Sequence, residues 1–209
     1  MLEYRHRSCS SVMNTQQTPT ILIAYPENFL CYRKFERKVS TILSNISKYH
    51  LAYVNDYNSF ISQYLSTDSR VDEQPTRLDG DDIDNVTHAI IFNDDQSYTN
   101  LIRTAKEAGI KARIIDTVTT KVVNLDRGDK YDVYIGRGSV FGNPYAIGFS
   151  GDREEVIRKF KYDFEREFLR FTREDVLKLK GKTLGCHCKP AACHGDVIAE
   201  YLNSLDDES

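Results

Sequence analysis

No apolar run in this chain of 209 residues approaches the roughly 20 residues that a membrane-spanning helix needs, so no membrane partner is expected. Charge of one sign is missing too. The 28 basic and 31 acidic side chains leave a net charge of -3, which removes any gross electrostatic drive toward nucleic acid. A disulfide framework is also lacking: the five cysteines are an odd number, and Cys186, Cys188 and Cys193 crowd together. Thiols in that arrangement fit a reducing cytosol, where they serve in metal binding, reactivity or burial, so a cytoplasmic location is expected. No basic stretch followed by an apolar one opens the chain, so a secretory signal is not expected, and the polar residues 1–19 read as a flexible leader with Met13 as an alternative initiator. With 28% charged and 40% hydrophobic residues, the composition is that of a globular protein and excludes a wholly disordered or collagen-like chain.

What is present falls into two modules. In residues 20–116 short β-branched runs alternate with amphipathic stretches. TILIAYP (20–26) reads as a buried strand, and Tyr32, Phe35, Val39, Ile42, Leu43 and Ile46 mark one face of a helix. HLAYVN (50–55) predicts a second strand and YNSFISQYL (57–65) a short helix. Residues 68–85 hold seven acids against two bases and read as a solvated loop or mobile linker. THAIIFN (87–93) and KARIID (111–116) are further strands, separated by a helix that DDQS (94–97) would cap and Gly109 would end. This alternation predicts an α/β fold with a mostly parallel, Rossmann-like sheet, whose ligand crevice lies beyond the carboxyl ends of the strands. Asp94 and Ser97 stand at such an end and are candidate ligand-binding residues.

ILIAYPENFLCYRKFERKV together with HAIIFNDDQSYTNLIRTAKEAGIKARII resembles the SLOG superfamily, a Rossmann-like group that includes cytokinin-activating phosphoribohydrolases and a DNA-processing protein. The resemblance implies nucleotide-type ligands held by glycine-rich turns. Here Pro26-Glu27 stands where the group often has Gly-Ser, and Ser97-Tyr98-Thr99-Asn100 where it has Ser-x-Gly-Thr. Without glycine a backbone approaches phosphate less closely, so a degenerate, structural version of the domain is the alternative.

The second module, 117–205, reads as a smaller α/β domain ahead of a short tail, 206–209. DVYIGRG (132–138) is a strand entering a glycine-rich loop, and a helix follows with Val156, Ile157, Phe160, Phe164, Phe168 and Phe171 on one stripe. Thr172 would cap a short helix, TLGCHC (183–188) is a strand, and the last helix carries Val197, Ile198, Tyr201, Leu202 and Leu205. Gly136 and Gly138 flank Arg137, a pattern that can form a backbone nest for an anion with a guanidinium beside it, and Asn143 can offer its amide to a base or sugar. In Cys186-His187-Cys188-Lys189-Pro190-Ala191-Ala192-Cys193-His194-Gly195-Asp196, the strand delivers its residues to the first turn of a helix. Free N–H groups and the helix dipole there favour an anion and the thiolate form of Cys193.

Three readings of this cluster stand side by side. Lys189, Cys193, His194 and the helix start can hold a phosphate. Cys186 and Cys188 can be buried as small hydrophobes. Cys186, Cys188, Cys193 and His194 can ligate zinc, although C-x-C-x4-C-H is not a common knuckle. No cofactor is expected on the first two readings. The combination of IGRGS…GNPY, GKTLGCHCKP and CHGDVIAEYL is similar to the family known as domain of unknown function 4326, which implies that these residues share one site and points to a bacterial or phage origin, with the host cytoplasm as location. Tryptophan is common in that family where His187 stands, so His187 reads as variable.

The function expected is binding and processing of a nucleotide or related phosphorylated small molecule, by analogy through N-glycosidic bond cleavage or phosphoribosyl-type transfer. Arg137 and Lys189 would hold the phosphate, His194 would be general acid/base, and Asp196 would orient it or stabilise a developing cation. The alternatives are a non-catalytic sensor or interaction module and a zinc-supported structural domain. The basic residues Arg158, Lys159, Lys161, Arg166, Arg170 and Arg173 are interleaved with acids and read as a solvated helix face, so nucleic acid is a lesser partner, and a homo-oligomer is left open.

Overall fold

The computed structural model describes residues 18–71, 73–80 and 82–206. Residues 1–17 of the expected leader, Met13 included, lie outside the described residues, whereas the Pro19 carbonyl accepts from His50 N at 2.9 Å. Strands β1 (Thr20–Ala24), β2 (His50–Tyr53), β3 (Thr76–Arg77), β4 (His88–Asn93) and β5 (Lys111–Asp116) form one sheet in the order β3-β2-β1-β4-β5. Every neighbouring pair in it is parallel. Helices α1 (Tyr32–Ile42), α2 (Phe60–Leu65) and α3 (Thr99–Glu107) connect them. The pleat of β1 sorts its side chains: Ile21 and Ile23 enter one apolar cluster with Phe35, Val39 and Phe60, while Leu22 and Ala24 enter another with Leu101 and Ala105. A sheet buried on both faces needs unbroken apolar strands, which is why ILIA and AIIF lack alternation.

The expected solvated linker 68–85 is more structured than its charge suggested. Asp68 accepts from Tyr49 Oη at 2.9 Å and from Arg70 Nε at 2.9 Å, and Arg70 NH1 donates to the Leu43 carbonyl at 2.6 Å, beyond the end of α1. Thr76 and Arg77 add the edge strand β3, and Ile83 is buried at 5% exposure. Strand pairing at Thr76 and Arg77, buried Ile83 and the Arg70 contacts together tie down a segment that composition marks as solvated.

The second half is built on β6 (Lys121–Asn124), β7 (Val133–Tyr134) and β8 (Thr183–Cys186), in the order β6-β8-β7 and again all parallel. Helices α4 (Arg153–Glu165), α5 (Arg173–Leu177) and α6 (His194–Ser204) complete it. Asp152 caps α4 by accepting from Glu155 N, and Thr172 with Asp175 forms a capping box on α5. The aromatic stripe of α4 is shorter than its sequence implies. The helix stops at Glu165, Glu167 turns through a left-handed conformation (φ 58°), and Phe168 is left 69% exposed. Phe171 returns from the following loop to pack on Phe160 and Phe164.

Candidate functional site

Strands β7 and β8 are parallel neighbours, so the loops leaving their carboxyl ends must run side by side. That places Gly136–Tyr145 against Cys186–His194 around a cavity of about 260 Å³. Of the residues proposed from sequence, Gly136, Arg137, Asn143, Cys193 and His194 line it, together with Cys186 and Cys188. Arg153, Val156 and Ile157 of α4 form a further wall.

Two polar contacts fix the first loop. His194 Nε2 meets the Ile135 carbonyl at 2.9 Å, which sets the proton on Nε2 and leaves Nδ1 facing Cys193 Sγ at 3.6 Å. Asn143 Nδ2 donates to the Val156 carbonyl at 3.1 Å, and its oxygen accepts from Tyr145 N at 2.9 Å. Asn143 is therefore a pin between loop and helix, with its carbonyl oxygen already engaged. Two glycines allow the tight fold. A Cβ on Gly142 would lie 2.7 Å from the Gly136 carbonyl oxygen, and Gly138 adopts φ 98°. Arg137, between Gly136 and Gly138, is exposed and has no side-chain partner among the described residues. Arg153 NH1 donates to the Ala192 carbonyl at 3.1 Å.

The helix start differs from its expected form. Cys193 is the cap residue of α6: its sulfur accepts from Gly195 N at 3.4 Å, and Asp196 Oδ2 accepts from Cys193 N at 2.9 Å. Asp196 N in turn donates to the Cys193 carbonyl at 3.0 Å. The N–H groups of Cys193, Gly195 and Asp196, which an anion could use, are thus engaged. Asp196 Oδ1 pairs with Lys189 Nζ at 2.6 Å, so Asp196 is spent on a cap and a salt bridge and does not orient His194. Lys189 lines a different groove, with Thr120, Lys121 and Asn203, and does not join Arg137.

Electrostatics moves the reactive thiol. The hydrogen bond between the Cys193 and Cys186 thiols holds Cys186 well below the usual range against burial, while that bond and burial together push Cys193 up. Burial also raises Cys188. The Cys186 hydrogen bond and burial at 1% exposure thus act against the thiolate form of Cys193 that the helix start was expected to favour. Burial, at 5% exposure, likewise lowers His194, which packs edge-on against Phe160 with ring centroids 5.1 Å apart.

Asp94 and Ser97 lie apart from this cavity. Asp94 Oδ1 accepts from Gln96 N at 3.1 Å and Ser97 N at 2.7 Å, and Oδ2 accepts from Ser97 Oγ at 3.0 Å. The Asp94 carboxylate itself fills this turn, and its pKa is lowered by these bonds against the opposing effect of burial. Asp94 does not cap α3, whose cap residue is Tyr98; that side chain donates to the Tyr25 carbonyl at 2.8 Å and packs in the apolar cluster of Leu22, Ala24 and Ile91. Ser97 borders a second cavity of about 280 Å³ with Glu27, Asn28, Asn55 and Tyr57, at the carboxyl ends of the sheet. Arg153 is the residue that sequence reasoning missed. It was visible only as the first residue of a helix whose N-terminus faces the cysteine loop.

A five-stranded parallel sheet in Rossmann-like order, joined to a smaller parallel α/β unit with an arginine-rimmed cavity, defines a two-part α/β protein. Residues 18–123, more than half of the chain, match the model of the minimal SLOG domain, and the chain belongs to that family. Residues 118–204 match the domain of unknown function 4326. The chain is 44% identical over 87 residues to the "Uncharacterized 12.4 kDa protein in nrdA-td intergenic region" of Enterobacteria phage T4, a match covering 41% of this chain and 79% of the phage protein. No solved structure matches the chain. No helix among the described residues is long and apolar enough to cross a membrane.

Proposed function

We propose that the cavity between the Gly136–Tyr145 loop and the start of α6 binds a nucleotide or related phosphorylated small molecule. The observation carrying this reading is the convergence of Arg137 and Arg153 on a cavity whose other walls include Ile147, Val156 and Ile157. Guanidinium forks suit phosphate, and apolar walls suit a base or sugar face. The minimal SLOG match over residues 18–123 lies outside this cavity and supports the ligand class only by analogy from the neighbouring half. Processing of that ligand, with N-glycosidic cleavage or phosphoribosyl-type transfer as the reaction class, rests on fold analogy. In this reading His194 locks the Ile135 turn and Asp196 caps α6, so neither is free for the acid–base work their sequence spacing suggested.

Calorimetry against a panel of nucleoside mono-, di- and triphosphates tests the proposal. We expect saturable binding that Arg137→Ala weakens by about tenfold or more, the loss of one charge-assisted contact. No binding across the panel, or an unchanged affinity in Arg137→Ala, overturns it. A non-catalytic sensor is the second reading, favoured by the hydrogen bonds that occupy His194 and Asp196. Prolonged incubation with a bound nucleotide separates the two: product formation supports processing, and recovery of intact ligand supports sensing.

A further inference from the structure

Cys186 ends β8, Cys188 follows two residues later on the same side of the extended chain, and Cys193 returns through the loop to cap α6. Their three sulfurs lie within 4.8 Å of one another, and the Cys186 and Cys188 sulfurs are 3.7 Å apart. Four sulfurs around zinc, with Zn–S bonds of about 2.3 Å, stand about 3.8 Å from each other in a tetrahedron. A disulfide would need about 2.05 Å. All three cysteines border the cavity of the candidate site.

We propose that Cys186, Cys188 and Cys193 form a binding site for one zinc ion, with the fourth position of the tetrahedron open to the cavity. Three thiol protons are released to solvent as the ion binds, and a water or a ligand atom completes the coordination. The Gly195 N–H that points at Cys193 Sγ supports that ligand from the second layer, as donors commonly do at metal thiolates. His194 Nδ1 stands beside the trio at 3.6 Å from Cys193 Sγ, while its other nitrogen is anchored on Ile135. Simple burial of three small hydrophobes is the competing account. It explains why Cys186 and Cys193 are covered, but it does not require all three sulfurs to meet at the edge of a cavity. The inference does not depend on the phosphorylated-ligand reading, because the metal alone is the probe.

The test uses the full chain, stripped by a chelator under reducing conditions and reloaded with cobalt(II) as a spectroscopic substitute for zinc. The expected result is one ion per chain, a sulfur-to-cobalt charge-transfer band and the intense visible bands of a tetrahedral site. Zinc should displace the cobalt and mask three thiols from a thiol reagent. Cyanide should shift the visible bands if the fourth position is open; bands indifferent to it overturn that part. Cys186→Ser and Cys188→Ser should each weaken cobalt binding by about 100-fold, whereas Cys31→Ala, in the first half's core, should leave it unchanged. The wild-type spectrum decides the matter even if a variant misfolds. Weak octahedral bands, or three freely titrating thiols in folded protein with excess zinc, overturn the proposal, as does a Cys186–Cys188 disulfide that persists after reduction.

Discussion

Asp68 shows how one residue converts an acidic segment into structure. Its side chain is 7% exposed and receives Arg70 at 2.7 Å, Tyr49 Oη at 2.9 Å and the Arg70 backbone N–H at 3.0 Å. The Arg70 hydrogen bond, acting against burial, holds this carboxyl well below the usual carboxylate range. A depressed folded pKa contributes stability above the unfolded value of about 3.9 and loses it as pH falls toward the folded one. Asp68→Asn should therefore destabilise the protein at neutral pH by about 1–3 kcal/mol, since Arg70 keeps only neutral acceptors. Urea denaturation at pH 7 and again near pH 3 measures it: the gap between variant and wild type should narrow in acid. A gap that is the same at both pH values would show that the charge of Asp68 contributes nothing.

At the scale of elements, the glycine-rich loop after β7 positions Arg137 by steric constraint as much as by hydrogen bonds. A methyl group on Gly142 would sit 2.7 Å from the Gly136 carbonyl oxygen and 3.2 Å from the Arg137 Cα, both backbone atoms that cannot swing away. Gly142→Ala should open the turn, cost about 1–3 kcal/mol of stability, and weaken ligand binding roughly as much as Arg137→Ala does. Paired melting curves and calorimetry check this, and wild-type affinity in the alanine variant would show that the turn does not set the guanidinium. The convergence of Arg137 with the α6 start was legible in sequence because two strand–loop–helix patterns in a parallel sheet bring their loops to one edge. Other features were hidden for physical reasons. Strand β6 is four residues with three half-buried, too short for a periodic signal, and β3 has two residues inside an acidic stretch. The end of α4 has no glycine to mark it, because Glu167 takes the left-handed conformation instead. The roles of His194 and Asp196 followed from their spacing, whereas the partners that occupy them, Ile135 and Lys189, come from elsewhere in the chain.

For the whole molecule, the decisive fact is that the apolar clusters do not mix. Two are drawn from residues up to Ile115, and the third from Val122 to Leu205. Polar contacts link the halves. Arg37 meets Asp206 at 2.6 Å with side chains 36% and 20% exposed, and Lys121 reaches Gln96 at 2.7 Å. Ion pairs that wet contribute about 0–1 kcal/mol each, too little to hold an otherwise unfolded half in shape. Every residue bordering the candidate cavity lies between Gly136 and His194. Residues 117–206 alone should therefore unfold cooperatively and bind the same nucleotide with an affinity within about threefold of the full chain, a difference below 1 kcal/mol. Thermal melts followed by near-ultraviolet dichroism, together with calorimetry on the fragment, give the answer. A fragment that melts without a transition would mean that the parallel sheet of the first half is needed to fold the second. A well-folded fragment with no affinity would instead place the ligand against Asn28 and Leu30, the residues of the first half that line the groove beside Lys189.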